Sequence, residues 1–266
     1  MRVGIVGLGT IGRAMCEAID RGDIGVELVA VTARTEDRAR RFLQGLRRAP
    51  QLLKLEDLVE RSDLVIEAAT QEALETIAPC TLRRGKDLMA LSVGALLEHE
   101  DWMVLARQSG SRIYIPSGAI VGLDGVKGAV IGQITAVTMT TRKPPRGLAG
   151  APFVIRRGLD LEALTEETVI FEGSAREACR GFPANVNISA ALSLAGIGPD
   201  RTRIRIIAVP GGTHNVHDIE VQGEFGHFTI HLENVPSDTN PRTGKLSYLS
   251  ALAMLKELAG SVKVGT

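Results

Sequence analysis

Met1-Arg-Val-Gly-Ile-Val-Gly7-Leu-Gly9-Thr-Ile-Gly12 opens the chain. An apolar run of strand type passes straight into Gly-x-Gly-x-x-Gly and then into a helical stretch, Thr10 to Arg21. Gly7 permits the tight turn, Gly9 lets the backbone approach a pyrophosphate, and Gly12 lets the helix pack close on its strand. The helix N-terminus adds N–H groups and a partial positive charge. In this strand-turn-helix setting the glycine pattern predicts a dinucleotide-binding turn, with Gly7, Gly9, Thr10, Ile11 and Gly12 along the phosphates. A glycine-rich turn with no ligand is the plainer reading of the same residues.

Outward from this turn, strand and helix alternate. Strands are predicted at Val26–Thr32, Asp63–Ala69, Asp87–Leu91 and Arg112–Ile115, with helices at Thr35–Arg47, Leu55–Arg61, Gln71–Arg83 and His99–Gln108. The strands are near-continuous apolar runs, as a parallel sheet buried on both faces requires. The rhythm changes near Pro116. After a glycine-rich stretch, strands dominate: Ala136–Thr141, Thr168–Phe171, Arg201–Val209, Val216–Gly223 and His227–Asn234. The last two alternate polar and apolar residues around Gly223-Glu-Phe-Gly226, which predicts an antiparallel hairpin with one wet face. Helices are expected near Ser174–Cys179, Asn187–Ala195 and Lys245–Ala259. The fold class is therefore α/β: an N-terminal Rossmann doubly wound parallel sheet, residues 1–118, and a second α+β domain of mostly antiparallel sheet, residues 119–240. Residues 241–266 supply a C-terminal helix expected to pack back on the Rossmann domain.

The 266 residues carry 31 basic and 31 acidic side chains, so the formal charge cancels. Neither a nucleic-acid footprint nor a membrane-surface patch follows from that balance. The arginines at 38, 40 and 41 lie beside Glu36 and Asp37 and fit a solvated helix face. Aromatic residues make up 3%, which argues against a base-stacking platform. Three scattered cysteines without metal spacing (Cys16, Cys80 and Cys179) fit reduced thiols in a cytoplasmic protein with no metal site. Cys16 and Cys80 fall in apolar helical settings suited to a core. With a strand starting at residue 2 and no apolar run of bilayer length, neither a signal peptide nor a membrane span is expected.

The second strand ends Val29-Ala-Val-Thr32-Ala33-Arg34-Thr35. An NAD-selective site places a carboxylate there. Arg34 could instead stack on adenine and pair with a 2′-phosphate, with Thr32 or Thr35 adding a hydrogen bond. This predicts NADP, or dual use of NADP and NAD, unless Arg34 merely solvates the helix start. Imidazole is the usual proton shuttle near neutral pH. Of five histidines, His99 sits in a charged helix start, His227 and His231 fall on the wet hairpin face, and His214 follows a glycine turn. By strand parity His217 shares the apolar face with Ile219 and Val221, where a satisfied core histidine is common. Pattern alone leaves His217 and His214 open. Asn185 and Asn187 stand where one can cap the following helix, or an amide can hold a carboxamide or carboxylate. Arg242 and Thr243 lie in a turn that could face an anion.

Several strings together carry a resemblance. They are Gly7-Leu-Gly-Thr-Ile-Gly12, Glu67-Ala-Ala-Thr-Gln71, Ser92-Val-Gly-Ala95, Tyr114-Ile-Pro-Ser-Gly-Ala119, Thr140-Thr-Arg-Lys143, Phe171-Glu-Gly-Ser174, Phe182-Pro-Ala-Asn-Val-Asn187, Asn215-Val-His-Asp-Ile219, Gly223-Glu-Phe-Gly226 and Asn240-Pro-Arg-Thr243. In order and spacing the chain resembles the L-aspartate dehydrogenase family over nearly its whole length. The resemblance implies a homodimeric enzyme, with the second domain catalytic and dimerising. It implies oxidation of L-aspartate with NAD(P) to iminoaspartate, which hydrolyses to oxaloacetate and ammonia or feeds pyridine nucleotide synthesis. It selects His217 over His214 as catalytic and implies cofactor contacts at Ala119 and Asn185, with Ala69 expected beside them. Arg142, Lys143, Arg242 and Asn187 are the candidates for holding the two substrate carboxylates. Two departures stand out: Thr32-Ala33-Arg34 where some members carry Asp, and Gly244 where members often carry Ser. The competing expectations are a homoserine dehydrogenase-like or dihydrodipicolinate reductase-like enzyme of the same plan, and a non-catalytic NAD(P)-binding regulator.

Overall fold

Buried aliphatic residues build the first sheet. In the computed structural model, which describes residues 1–183, 187–235 and 244–265, the chain begins β1 (Arg2–Val6), α1 (Thr10–Arg21), β2 (Glu27–Thr32), α2 (Glu36–Leu43), β3 (Gln51–Leu52) and α3 (Leu55–Arg61). It continues through β4 (Leu64–Glu67), α4 (Gln71–Leu82), β5 (Asp87–Ala90), a 3-10 turn at Val93–Leu97, α5 (Glu100–Ser109) and β6 (Ile113–Tyr114). The six strands are parallel, in the order β3-β2-β1-β4-β5-β6. Val3, Ile5, Val65, Ile66, Leu88 and Met89 have no exposed surface, as helices on both faces require. The strand order reverses between β1 and β4, where Val6 pairs with Glu67. Ligands of doubly wound sheets bind at that switch point, beyond the carboxyl ends of the strands.

The rest comprises α6 (Leu123–Ala129), β7 (Ile134–Lys143), α7 (Pro145–Leu148), α8 (Pro152–Arg157), β8 (Thr168–Ser174), α9 (Ala175–Gly181), α10 (Asn187–Ala195), β9 (Arg203–Ala208), β10 (Asn215–Gly223), β11 (Gly226–Asn234) and α11 (Lys245–Ala259). The second sheet runs β11-β10-β7-β9-β8 and is antiparallel except for β7 with β9. Parity sorts its faces. Val221, Ile219 and His217 of β10 pair with Val137, Met139 and Thr141 of β7 and with Phe228, Ile230 and Leu232 of β11. α6 and the end of α10 cover this side: a Cβ at Gly196 would stand 3.1 Å from Val126 and 3.8 Å from Val137. The other face carries Asp218, Glu220 and Gln222 opposite His231, Thr229 and His227.

The chain divides into two compact units, Met1–Pro116 with Tyr248–Lys263, and one centred on Ser117–Ser247. In the first, Ala251 and Leu255 of α11 join a core with Val3, Ile5, Met15 and Cys16. Three local expectations need correction. The helix after β2 stops at Leu43, because Gln44-Gly45 folds into a turn and Asp20 takes the backbone N–H groups of Arg47 and Arg48. The glycine-rich stretch contains α6, whose Val126 is fully buried. Cys80 is only half-buried, with Arg84 against its sulfur.

Candidate active site

In the first unit the three glycines of the turn do different work. Gly7 has φ +102°, and a Cβ there would stand 2.5 Å from the Ala68 carbonyl oxygen. A Cβ on Gly12 would stand 2.0 Å from the Gly7 carbonyl oxygen. Both glycines are therefore demanded by the fold. Gly9 is not: its nearest neighbour would be Ala68 O at 4.0 Å, so a side chain there would project into open space above the turn. Gly9, the N-cap of α1, brings no side-chain cap, and the first turn, which holds Thr10 and Ile11, carries no acid. The open approach at Gly9, at the N-terminus of a helix whose first turn carries no acid, fits the pyrophosphate of NAD(P). Arg13, which sequence reasoning missed, donates from Nε to Leu8 O at 3.1 Å and lies 5.1 Å from the centroid of Phe42, bracing the turn. The Ala69 amide is committed to Glu67 Oε1 at 2.7 Å. Arg34 is exposed and takes no hydrogen bond or ion pair among the described residues. Thr32 does not offer its hydroxyl proton to a ribose, since Oγ1 donates to Leu53 O at 2.9 Å.

In the second unit, one end of the apolar sheet face gathers polar groups. Lys143, Thr141, His217 and Asn234 share this face by register. His217 is 2% exposed, and its Nδ1 lies 3.0 Å from Thr141 Oγ1. Burial pushes the imidazole down to about 3, and the positive charge of Lys143 adds to that against a smaller opposing pull from Asp218. Burial also pushes the Lys143 ammonium down to about 8. His217 is thus neutral near pH 7 while Lys143 is cationic. If Nδ1–H donates to Thr141, Nε2 carries the lone pair that a general base needs. The Asn234 amide donates to Ala119 O at 2.7 Å and fixes the turn at Ser117–Ala119. Ile188, next to Asn187 in the first turn of α10, would stand 3.3 Å from a Cβ on Gly118, which sets α10 beside that turn.

Arg142 does not join this group, and its pairing with Lys143 as a substrate clamp is corrected. Adjacent strand residues face opposite sides. Arg142 lies on the wet face, bonded to Asp218 and within 3.9 Å of Glu167. Asp218 also meets His231 Nδ1 at 2.6 Å. His214 is exposed beside Thr213. Asn185 and Arg242 lie outside the described residues. Thr141 and Asn234 carried no distinct signal in sequence, because their partners sit 76 and 115 residues away. No described helix is long and apolar enough to cross a membrane.

Residues 124–258 match the model of the aspartate dehydrogenase C-terminal domain, and residues 7–116 match the NAD-binding domain of homoserine dehydrogenase. The L-aspartate dehydrogenase of Methanosarcina mazei is 46% identical over 270 residues, covering 100% of both chains. That of Bradyrhizobium diazoefficiens is 47% identical, covering 100% of this chain and 94% of its own. The chain belongs to the L-aspartate dehydrogenase family. As a member it is an NAD(P)-dependent oxidoreductase. Among solved structures, the aspartate dehydrogenase of Thermotoga maritima superposes with a TM-score of 0.75 at 25% identity, over 100% of this chain and 99% of that one. A homoserine dehydrogenase from Thiobacillus denitrificans reaches 0.62 at 14% identity over 97% and 73%, a likeness of fold alone. The homoserine dehydrogenase alternative therefore shares architecture with this aspartate dehydrogenase family member, while the full-length identity lies with aspartate dehydrogenases.

Proposed function

We propose that the protein oxidises L-aspartate with NAD or NADP to iminoaspartate, which water converts to oxaloacetate and ammonia, and that His217 is the proton acceptor. The observation that carries this reading is a neutral imidazole, buried and oriented by Thr141, beside the cationic Lys143 in a chain of this family. Bound NAD(P)+ supplies the acceptor for the hydride that leaves the substrate Cα. Nε2 of His217 takes the proton that the substrate ammonium loses as the C=N bond forms, and later orients the water that attacks the imine. Lys143 and Asn187 are the groups assigned to the substrate carboxylates. The two substrate carboxylates place negative charge beside His217, which favours its protonated form and lifts its proton affinity only in the bound complex. Arg34 serves the 2′-phosphate when NADP is used. A homodimer is the proposed assembly and pyridine nucleotide synthesis the proposed destination of the imine.

The test follows NAD(P)H absorbance with L-aspartate, L-homoserine or buffer, using each cofactor. Signal with aspartate alone is expected, and none with any amino acid favours a non-catalytic binder. His217→Ala should bind NADH as the wild type does and lose roughly 10²- to 10⁴-fold in kcat. Full turnover in that variant would remove His217 from the mechanism.

A further inference from the structure

Glu67 ends β4 at the switch point and has no exposed surface. Its carboxylate accepts four hydrogen bonds. Oε1 takes the Ala69 amide at 2.7 Å and the Ser92 hydroxyl at 2.9 Å, and Oε2 takes the Leu91 amide at 3.1 Å and the Ser92 amide at 2.9 Å. Burial lifts this carboxyl, while the donors on Ser92, Ala69 and Leu91 oppose the lift. A buried carboxylate is costly unless its oxygens are hydrogen-bonded, as all four of these donors provide. What this one achieves is a tie between two loops that leave adjacent strands, the loop after β4 and the loop after β5. The first of these also underlies the glycine turn: the Ala68 amide donates to Val6 O at 2.8 Å, and the Ala68 carbonyl fills the space where Gly7 lacks a Cβ.

A doubly wound sheet holds a dinucleotide in two halves, one over β1–β3 and one over β4–β6. Glu67 belongs to the second half. We propose that Glu67 is a positioning residue for the nicotinamide half of the dinucleotide, locking the loops after β4 and β5 into one preformed rim at the switch point. The inference rests on NAD(P) binding and does not depend on the role of His217. Preformed rims raise affinity because the loops lose no further freedom on binding.

Glu67→Gln preserves shape but replaces one acceptor oxygen with an NH2 group, which must face at least one backbone N–H. NADH binding is read by its own fluorescence, and adenosine diphosphate binding by competition. The expected result is a rise in the NADH Kd of tenfold or more with a change under twofold for adenosine diphosphate, and an unaltered circular dichroism spectrum. An NADH Kd within twofold of wild type overturns the proposal. So does equal weakening of both ligands, which would mean that the whole turn has collapsed. Leu255→Ala, in the core under α11, is the control: a lower melting temperature with both Kd values unchanged. Should Glu67→Gln fail to fold, Ser92→Ala removes a single donor and should raise the NADH Kd two- to fivefold while sparing adenosine diphosphate; an unchanged NADH Kd in that variant overturns the proposal equally. NADH binding by the wild-type chain separately tests the dinucleotide reading.

Discussion

Lys143 and His217 are two bases sharing one buried face, and burial depresses both. The unfolded chain binds a proton on Lys143 below about 10.5, and the folded chain only below about 8. The burial cost is fully present below pH 8 and is shed as pH rises through that window, because stability rises wherever the unfolded state binds more protons. For His217 the window runs from 6.5 down to about 3: its contribution is intact above 6.5 and is lost as pH falls. The wild-type chain should therefore gain stability to urea between pH 8 and 10.5, and Lys143→Met should flatten that climb, removing a gain on the order of 3 kcal/mol. An identical climb in wild type and variant would mean that Lys143 is not desolvated. The inward parity of His217 is readable from alternating residues on one strand. That Lys143 joins it and Arg142 does not depends on the register of β7 against β10.

At the scale of the element, the glycine turn separates fold from ligand. Gly12 sits against the backbone of Gly7, and Gly9 faces open space. Gly12→Ala should lower the melting temperature, since backbone cannot yield to a Cβ at 2.0 Å. Gly9→Ala should melt as the wild type does and weaken NADH binding tenfold or more, by occupying the approach to the pyrophosphate. Thermal melts alongside fluorescence titration check the pair; normal NADH affinity in Gly9→Ala would place the phosphates elsewhere. The parallel sheet, the hairpin around Gly223–Gly226 and most helices were legible because their periods are written in neighbouring residues. α6 was not, because glycines interrupt its apolar pattern. The early end of α2 was not, because Asp20, on a different helix, captures the amides of Arg47 and Arg48.

Across the whole molecule, the chain's last long helix returns to its first sheet. Ala251 and Leu255 have no exposed surface in a core that includes Val3 and Ile5. Ending the chain at Ser247 should uncover that core, lower the melting temperature by about 10 °C or more and raise binding of an apolar dye. A truncated chain as stable as the full one would show that α11 adds nothing to the core. By itself the sequence determined the fold class and the family, because the glycine turn, the strand-helix rhythm and the ordered strings are local patterns of adjacent residues. Only the tertiary structure decided which polar groups meet. Thr141 finds His217 across 76 residues and Asn234 finds Ala119 across 115. Glu67 joins two loops 24 residues apart. Such encounters follow from strand order and register, which are set by burial of the sheet faces and leave no mark on the residues beside them.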